Sequence, residues 1–145
     1  MTFKRVSPAE AAKLVDEEGY QFIDVRSVPE FDAGHPKGAF NVPLNHAGPA
    51  GMTPNPDFLR VVQATFPKDA KIVVACKAGG RSMKAATILI DAGYTNIVDQ
   101  RAGWSGAADP FGKGIEPGWQ ASGLPTAQTA EAGRAWDSLV SHAKS

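Results

Sequence analysis

Lys71 to Gly93 is the stretch that leaves this chain the least freedom. Lys71-Ile72-Val73-Val74-Ala75 is a short apolar run rich in β-branched residues, which predicts a buried strand. Cys76-Lys77-Ala78-Gly79-Gly80 is a tight loop containing a glycine pair. From Arg81 onward, Ser82 to Ala92 have helical composition, and Gly93 supplies the stop. The only cysteine of the chain therefore stands where a strand's C-terminal end meets a helix N-terminus. Open α/β sheets hold their sites at that edge. The helix dipole and the unpaired N–H groups of the loop favour an anion there, and the thiolate, the reactive form of cysteine, is one. A lone cysteine after a β-branched run is also how a small buried hydrophobe looks. The Gly-Gly-Arg-Ser that follows separates the two readings. Paired glycines let successive N–H groups curl inward, and Arg81 adds a permanent cation. A cysteine that only packs needs neither.

The loop Cys76-Lys77-Ala78-Gly79-Gly80-Arg81-Ser82 resembles the active-site loop of the rhodanese sulfurtransferases, Cys-x-x-Gly-x-Arg-Ser. Further segments fit the same family in order and spacing. They are Asp24-Val25-Arg26 with Glu30-Phe31, then Gly34-His35-x-x-Gly38-Ala39-x-Asn41-Val42-Pro43, then Trp119-x-x-x-Gly123-Leu124-Pro125. The resemblance runs from residue 5 to 125, most of the chain. It implies transfer of a sulfane sulfur. The Cys76 thiolate would attack the outer sulfur of a donor such as thiosulfate, and the resulting persulfide would be taken by cyanide or a thiol. No cofactor is expected.

That chemistry asks for a stabilised thiolate, a cradle for an anionic sulfur, and cations for an anionic donor. The backbone of Lys77, Ala78, Gly79, Gly80, Arg81 and Ser82 is the expected substrate cradle. Lys77 and Arg81 are the candidate cations, although a solvated lysine and an arginine in a structural ion pair fit the same residues. Asp24 and Arg26 follow an apolar strand and so lie at its functional end, with Glu30 a turn away. An ion-pair network shaping the neighbouring loop is the expected role. His35 sits in a loop whose bend Pro36 fixes. It is expected to brace that loop rather than act as a base, because a dipole-stabilised thiolate needs none.

Rival chemistries are open to a loop of this kind. Cysteine phosphatases and arsenate reductases related to rhodaneses use Cys-x5-Arg, whereas Cys76 and Arg81 frame Cys-x4-Arg and position 82 is Ser. A shorter ring suits one sulfur atom better than a tetrahedral oxyanion. A persulfide carrier that relays sulfur between partner proteins would keep the same motif. A catalytically dead interaction domain would not need the cysteine.

Composition narrows the partners. Basic and acidic residues balance at 15 each, so no cationic excess points to nucleic acid, and no cationic amphipathic face points to a membrane. A single cysteine excludes an intramolecular disulfide and a Cys-x-x-Cys pair. His35, His46 and His142 are scattered without ligand spacing, so no metal site is expected. The N-terminus lacks the apolar run of a signal peptide, and a cytoplasmic location is expected, where thiols stay reduced.

The remaining elements alternate. Residues 3–6 predict an edge strand. Ser7-Pro8-Ala9-Glu10 is a capping box opening a helix that buries Ala11, Leu14 and Val15 and stops at Gly19. Tyr20 to Val25 predicts a central strand, and Ser27-Val28-Pro29-Glu30 a second capped turn. Ala39 to Val42 predicts a short strand closed by Pro43. Residues 45–56 are expected as a long surface loop, with Asn55 capping a helix that carries Phe58, Leu59, Val62 and Phe66. Asn96 to Asp99 predicts the last strand. This alternation argues for an α/β fold with a parallel sheet covered on both faces. The family resemblance implies about five strands. The chain departs from the family after residue 99, where Ala102-Gly103-Trp104 is separated from Trp119 by a Gly/Pro-rich insert, residues 105–118, expected as an exposed loop. Whether it covers the site is left open. Residues 1–126 form the expected domain, and 127–145 a C-terminal helix packed on it through Ala132, Ala135, Trp136, Leu139, Val140 and Ala143, at helical spacing over 129–143.

Overall fold

A computed structural model describes residues 3–143; the ends of the stretches drawn above, residues 1–2 and 144–145, lie outside the described residues. The elements in chain order are β1 (Lys4–Val6), α1 (Pro8–Glu18), β2 (Gln21–Asp24), α2 (Val28–Ala33), β3 (His35–Pro36), β4 (Phe40–Asn41), β5 (Asn45–Gly48) and β6 (Gly51–Pro54). They continue with α3 (Phe58–Thr65), β7 (Lys71–Ala75), α4 (Gly80–Asp91), β8 (Asn96–Gln100), β9 (Ala107–Ala108), β10 (Gly114–Glu116), β11 (Thr126–Ala127) and α5 (Trp136–Ala143). Five strands form one parallel sheet in the order β1-β8-β7-β2-β4. Parallel strands need crossovers, and the helices supply them on both faces. No described helix is long and apolar enough to cross a membrane.

Strand periodicity sorts the core. Ile23, Ile72, Val74, Ile97 and Cys76 point to one side, against Phe58, Val61 and Val62 of α3 and Ala85, Ala86 and Leu89 of α4. Phe22, Val73, Ala75 and Val98 point to the other side, against Ala11 of α1, Phe31 and Trp119. Each strand thus feeds both layers, which is why the sequence reads as near-continuous apolar runs. The first capping box forms as expected: Ser7 Oγ accepts from the Glu10 N–H at 3.1 Å, and Glu10 accepts from the Ser7 N–H at 3.0 Å. Leu14 and Val15 are only half-buried.

The structure differs from expectation at four places. Residues 45–56 are not a long loop, because β5 and β6 pair antiparallel as a hairpin. No core covers either face of that ribbon, and Met52 is half-exposed, so no period-two apolar signal marks it. Asp57, not Asn55, precedes α3; the Asn55 side chain accepts from the Asp57 N–H and donates to the Pro43 carbonyl. The insert 105–118 is also a hairpin, with β9 paired to β10. The C-terminal helix spans only Trp136–Ala143. Ala132 lies in a turn where the Arg134 N–H donates to the Glu131 carbonyl, and Arg134 Nη1 then reaches the Gly38 carbonyl at 2.6 Å. Helix α5 packs on α3, and Leu139 is buried in the same cluster as Cys76.

Candidate active site

The end of β7 delivers Cys76 to the C-terminal edge of the sheet, where it is 2 % exposed. The chain then turns sharply. Gly79 has φ 102°, and a Cβ there would stand 2.6 Å from the Arg101 carbonyl, so only glycine fits. That conformation aims the Gly79 N–H at Cys76 Sγ, 3.1 Å away. Helix α4 begins at the next residue and sets its N-terminal dipole behind the sulfur. The Ser82 hydroxyl lies 3.6 Å from Sγ and donates to the Gly79 carbonyl at 3.2 Å. Of the predicted cradle, Lys77 and Ala78 are exposed, Gly79 and Ser82 buried.

Arg81 holds Glu30 in a two-pronged pair, at 2.8 and 3.0 Å. Burial alone would push the Glu30 carboxyl up. Hydrogen bonds from Arg81 and from the N–H and hydroxyl of Ser27 outweigh it and lower the carboxyl to about 2. The Glu30 hydrogen bond in turn raises the Arg81 guanidinium above its ordinary value. This pair fastens α2 to the first turn of α4.

The single network expected of Asp24, Arg26 and Glu30 resolves into two pairs. Asp24 and Arg26 are both buried and form their own pair at 2.7 Å. Arg26 Nη2 also donates to the Gly34 carbonyl at 2.6 Å, and its guanidinium lies over the Trp104 ring at 4.9 Å. Asn41 ties the Asp24 and Arg26 carbonyls together from β4. His35 is buried, stacked on Phe31 at 3.7 Å, with Nδ1 2.8 Å from the Phe31 carbonyl. It braces α2 and is not among the groups around Sγ.

Sequence reasoning passed over a second layer. The Trp104 N–H donates to the Cys76 carbonyl at 2.8 Å, and the Ser105 N–H to the Lys77 carbonyl at 2.9 Å. These bonds require Gly103, whose φ is 63° and where a Cβ would stand 2.4 Å from the Cys76 carbonyl. The fully buried Gln100 closes that turn, accepting from the Gly103 N–H at 2.8 Å and donating to its carbonyl at 3.1 Å. Asp99 is also fully buried, with Oδ2 accepting from Arg5 Nε at 2.8 Å and Oδ1 without a hydrogen bond among the described residues. Burial pushes its carboxyl up, against smaller opposing contributions from Ser82 and Arg5. Asp99 and Gln100 close β8 at the same sheet edge as Cys76 and Asp24, and that position is the available signal.

A family model described as "Rhodanese-like domain" matches residues 7–109. This chain belongs to the rhodanese-like domain family. Among curated relatives of this rhodanese-like domain, "Thiosulfate sulfurtransferase 16, chloroplastic" of Arabidopsis thaliana is 42 % identical over 108 residues, covering 74 % of this chain and 80 % of the relative. "Senescence-associated protein DIN1" of Raphanus sativus is 40 % identical over 97 residues, covering 67 % of this chain and 53 % of the relative, so the chain spans about half of that protein. The crystal structure of Rv0390 from M. tuberculosis superposes with a TM-score of 0.72 at 27 % identity, covering 88 % of this chain and all of that one. The rhodanese family acts on sulfur donors and acceptors, and Cys76 is the single cysteine of this chain.

Proposed function

We propose that the protein is a thiosulfate sulfurtransferase acting through a Cys76 persulfide. The observation that carries the reading is the Gly79 N–H held 3.1 Å from Sγ, in a loop that places four residues between Cys76 and Arg81. The thiolate attacks the outer sulfur of thiosulfate. An Sγ–S bond forms, the S–S bond of thiosulfate breaks, and its electron pair leaves with sulfite. The loop N–H groups receive the new terminal sulfur, and a thiol or cyanide acceptor then takes it away. Lys77 is the ammonium nearest in sequence to the nucleophile and meets the anionic donor at the mouth of the loop.

The arrangement suits sulfur better than a tetrahedral oxyanion. The ring is short, and Arg81 spends its planar fork on Glu30. A protein acceptor remains compatible with the same persulfide. Intact-mass measurement tests the reading: incubation with thiosulfate is expected to add one sulfur atom, and cyanide to remove it. An unchanged mass would overturn it.

A further inference from the structure

The insert of residues 105–118 walls a crevice beside the thiol loop. Arg101, just past β8, grips Glu116 of β10 with two hydrogen bonds at 2.9 and 2.8 Å. Between the hairpin and the first turn of α4 lies a volume of about 630 Å³, bordered by Gly79, Gly80, Met83, Arg101, Ala108 and Ile115. Ile115 is 67 % exposed and Met83 38 %, and both are among the most exposed large apolar side chains of the described residues. Gly79 belongs to both places: it is a wall of the crevice, and its N–H touches Cys76 Sγ. Gly79 thus joins the crevice between Met83 and Ile115 to the thiol loop.

Inorganic thiosulfate has nothing to place there. Both guanidiniums that line the crevice are paired, Arg101 with Glu116 and Arg5, through Nε, with Asp99. Two apolar side chains with a few fixed polar groups are the lining of an organic subsite. A separate cavity lies between α1 and Trp119, and none of the thiol-loop residues lines it.

We propose that this crevice is a subsite for the organic body of a sulfane-sulfur donor, a compound in which an apolar group of about ring size carries the transferable sulfur. The inference rests on the sulfurtransferase reading above. For a thiosulfonate donor R–SO2–S⁻ the step balances as it does for thiosulfate. The Cys76 thiolate bonds to the terminal sulfur, the bond to the sulfonyl sulfur breaks, and the electron pair leaves with the sulfinate R–SO2⁻. Net charge is unchanged.

The test compares benzenethiosulfonate with methanethiosulfonate, which share charge and leaving-group chemistry and differ in the body. Covering part of a phenyl ring against Met83 and Ile115 is expected to give the wild type a kcat/KM ratio of about three- to tenfold in favour of the benzene donor. Ile115→Ala and Met83→Ala, both at surface positions that do not support the core, are each expected to bring that ratio toward one. A wild-type ratio near one overturns the inference. So does a preference that survives in both variants, because it would then arise elsewhere. Thiosulfate is run alongside on the wild type. If thiosulfate and both thiosulfonates all fail to load Cys76, the sulfurtransferase reading itself falls and takes the subsite with it. If thiosulfate loads and the benzene preference is absent, only the subsite falls.

Discussion

Cys76 is a side chain almost without solvent exposure, and its reactivity depends on what the loop brings to it. Cys76→Ser is expected to fold and to lose the gain of one sulfur mass, since an alcohol cannot hold a persulfide; full loading of the serine variant would refute the chemistry. Lys77 is exposed, and no ion pair engages it among the described residues. Its attraction for a thiosulfate dianion is worth about 1 kcal/mol per charge pair at 4 Å in water. Lys77→Ala is therefore expected to raise KM for thiosulfate by roughly three- to tenfold at low salt. Added salt should close the gap between variant and wild type. Unaltered KM at low salt would leave the donor's charge to the backbone. Arg81 was equally open to both roles in the sequence, because a loop arginine before a helix fits a ligand or a carboxylate. What decides its place is Glu30, 51 residues earlier, and no local pattern reports a pairing at that separation.

At the scale of elements, the Arg81–Glu30 pair clamps α2 to α4, and its contribution depends on pH. Glu30 titrates at about 2 in the fold against an ordinary 4.5. The folded state thus holds that proton less tightly than the unfolded chain. The stabilisation is complete above about pH 4.5 and is lost as pH falls toward 2. It is on the order of 2–3 kcal/mol. Glu30→Gln is expected to be less stable at neutral pH and to lose stability less steeply over that acid window, as followed by urea titration at stepped pH. Gly103 presents a second test. Any side chain there meets the Cys76 carbonyl, so Gly103→Ala is expected to cost about 1–3 kcal/mol and to slow persulfide formation together with it. Loss of stability with normal loading kinetics would show that the turn does not position Cys76. The βα unit around Cys76 was legible because burial of β7 and the glycine turn each leave a local mark. The two hairpins left none, since neither packs a face into the core. The C-terminal helix is shorter than the helical spacing of Ala132 and Ala135 implies, since residues 132 and 133 form a turn and Ala130 packs on the α1 side. Asp99 is not marked in the sequence because its partner, Arg5, comes beside it only once β1 pairs with β8, and Gln100 closes the local Gly103 turn without a motif that announces it.

For the whole molecule, the active edge is held from both layers. Helix α5 closes the α3 side, with Leu139 4 % exposed and Trp136 and Val140 packed around the same cluster. Ending the chain after Arg134 removes these side chains while retaining the Arg134 contact to Gly38. A fully buried leucine is worth about 1.5–3 kcal/mol, and a domain of this size loses a few degrees of Tm per kcal/mol. The shortened protein is expected to melt roughly 5–15 °C lower and still to load sulfur in the cold. An unchanged Tm would mean that α5 does not dock in solution. The root of the 105–118 hairpin has a different consequence. Its two ends are joined below the strands by the Trp119 N–H to the Gly103 carbonyl, the Gly106 N–H closes the first end's turn on the Ala102 carbonyl, and Trp104 then fastens that root to the Cys76 carbonyl. Everything beyond the root can change length and composition without disturbing the nucleophile's backbone. The hairpin is thus a cassette: a lineage, or an engineer, can exchange it while leaving the Cys76 loop as it is.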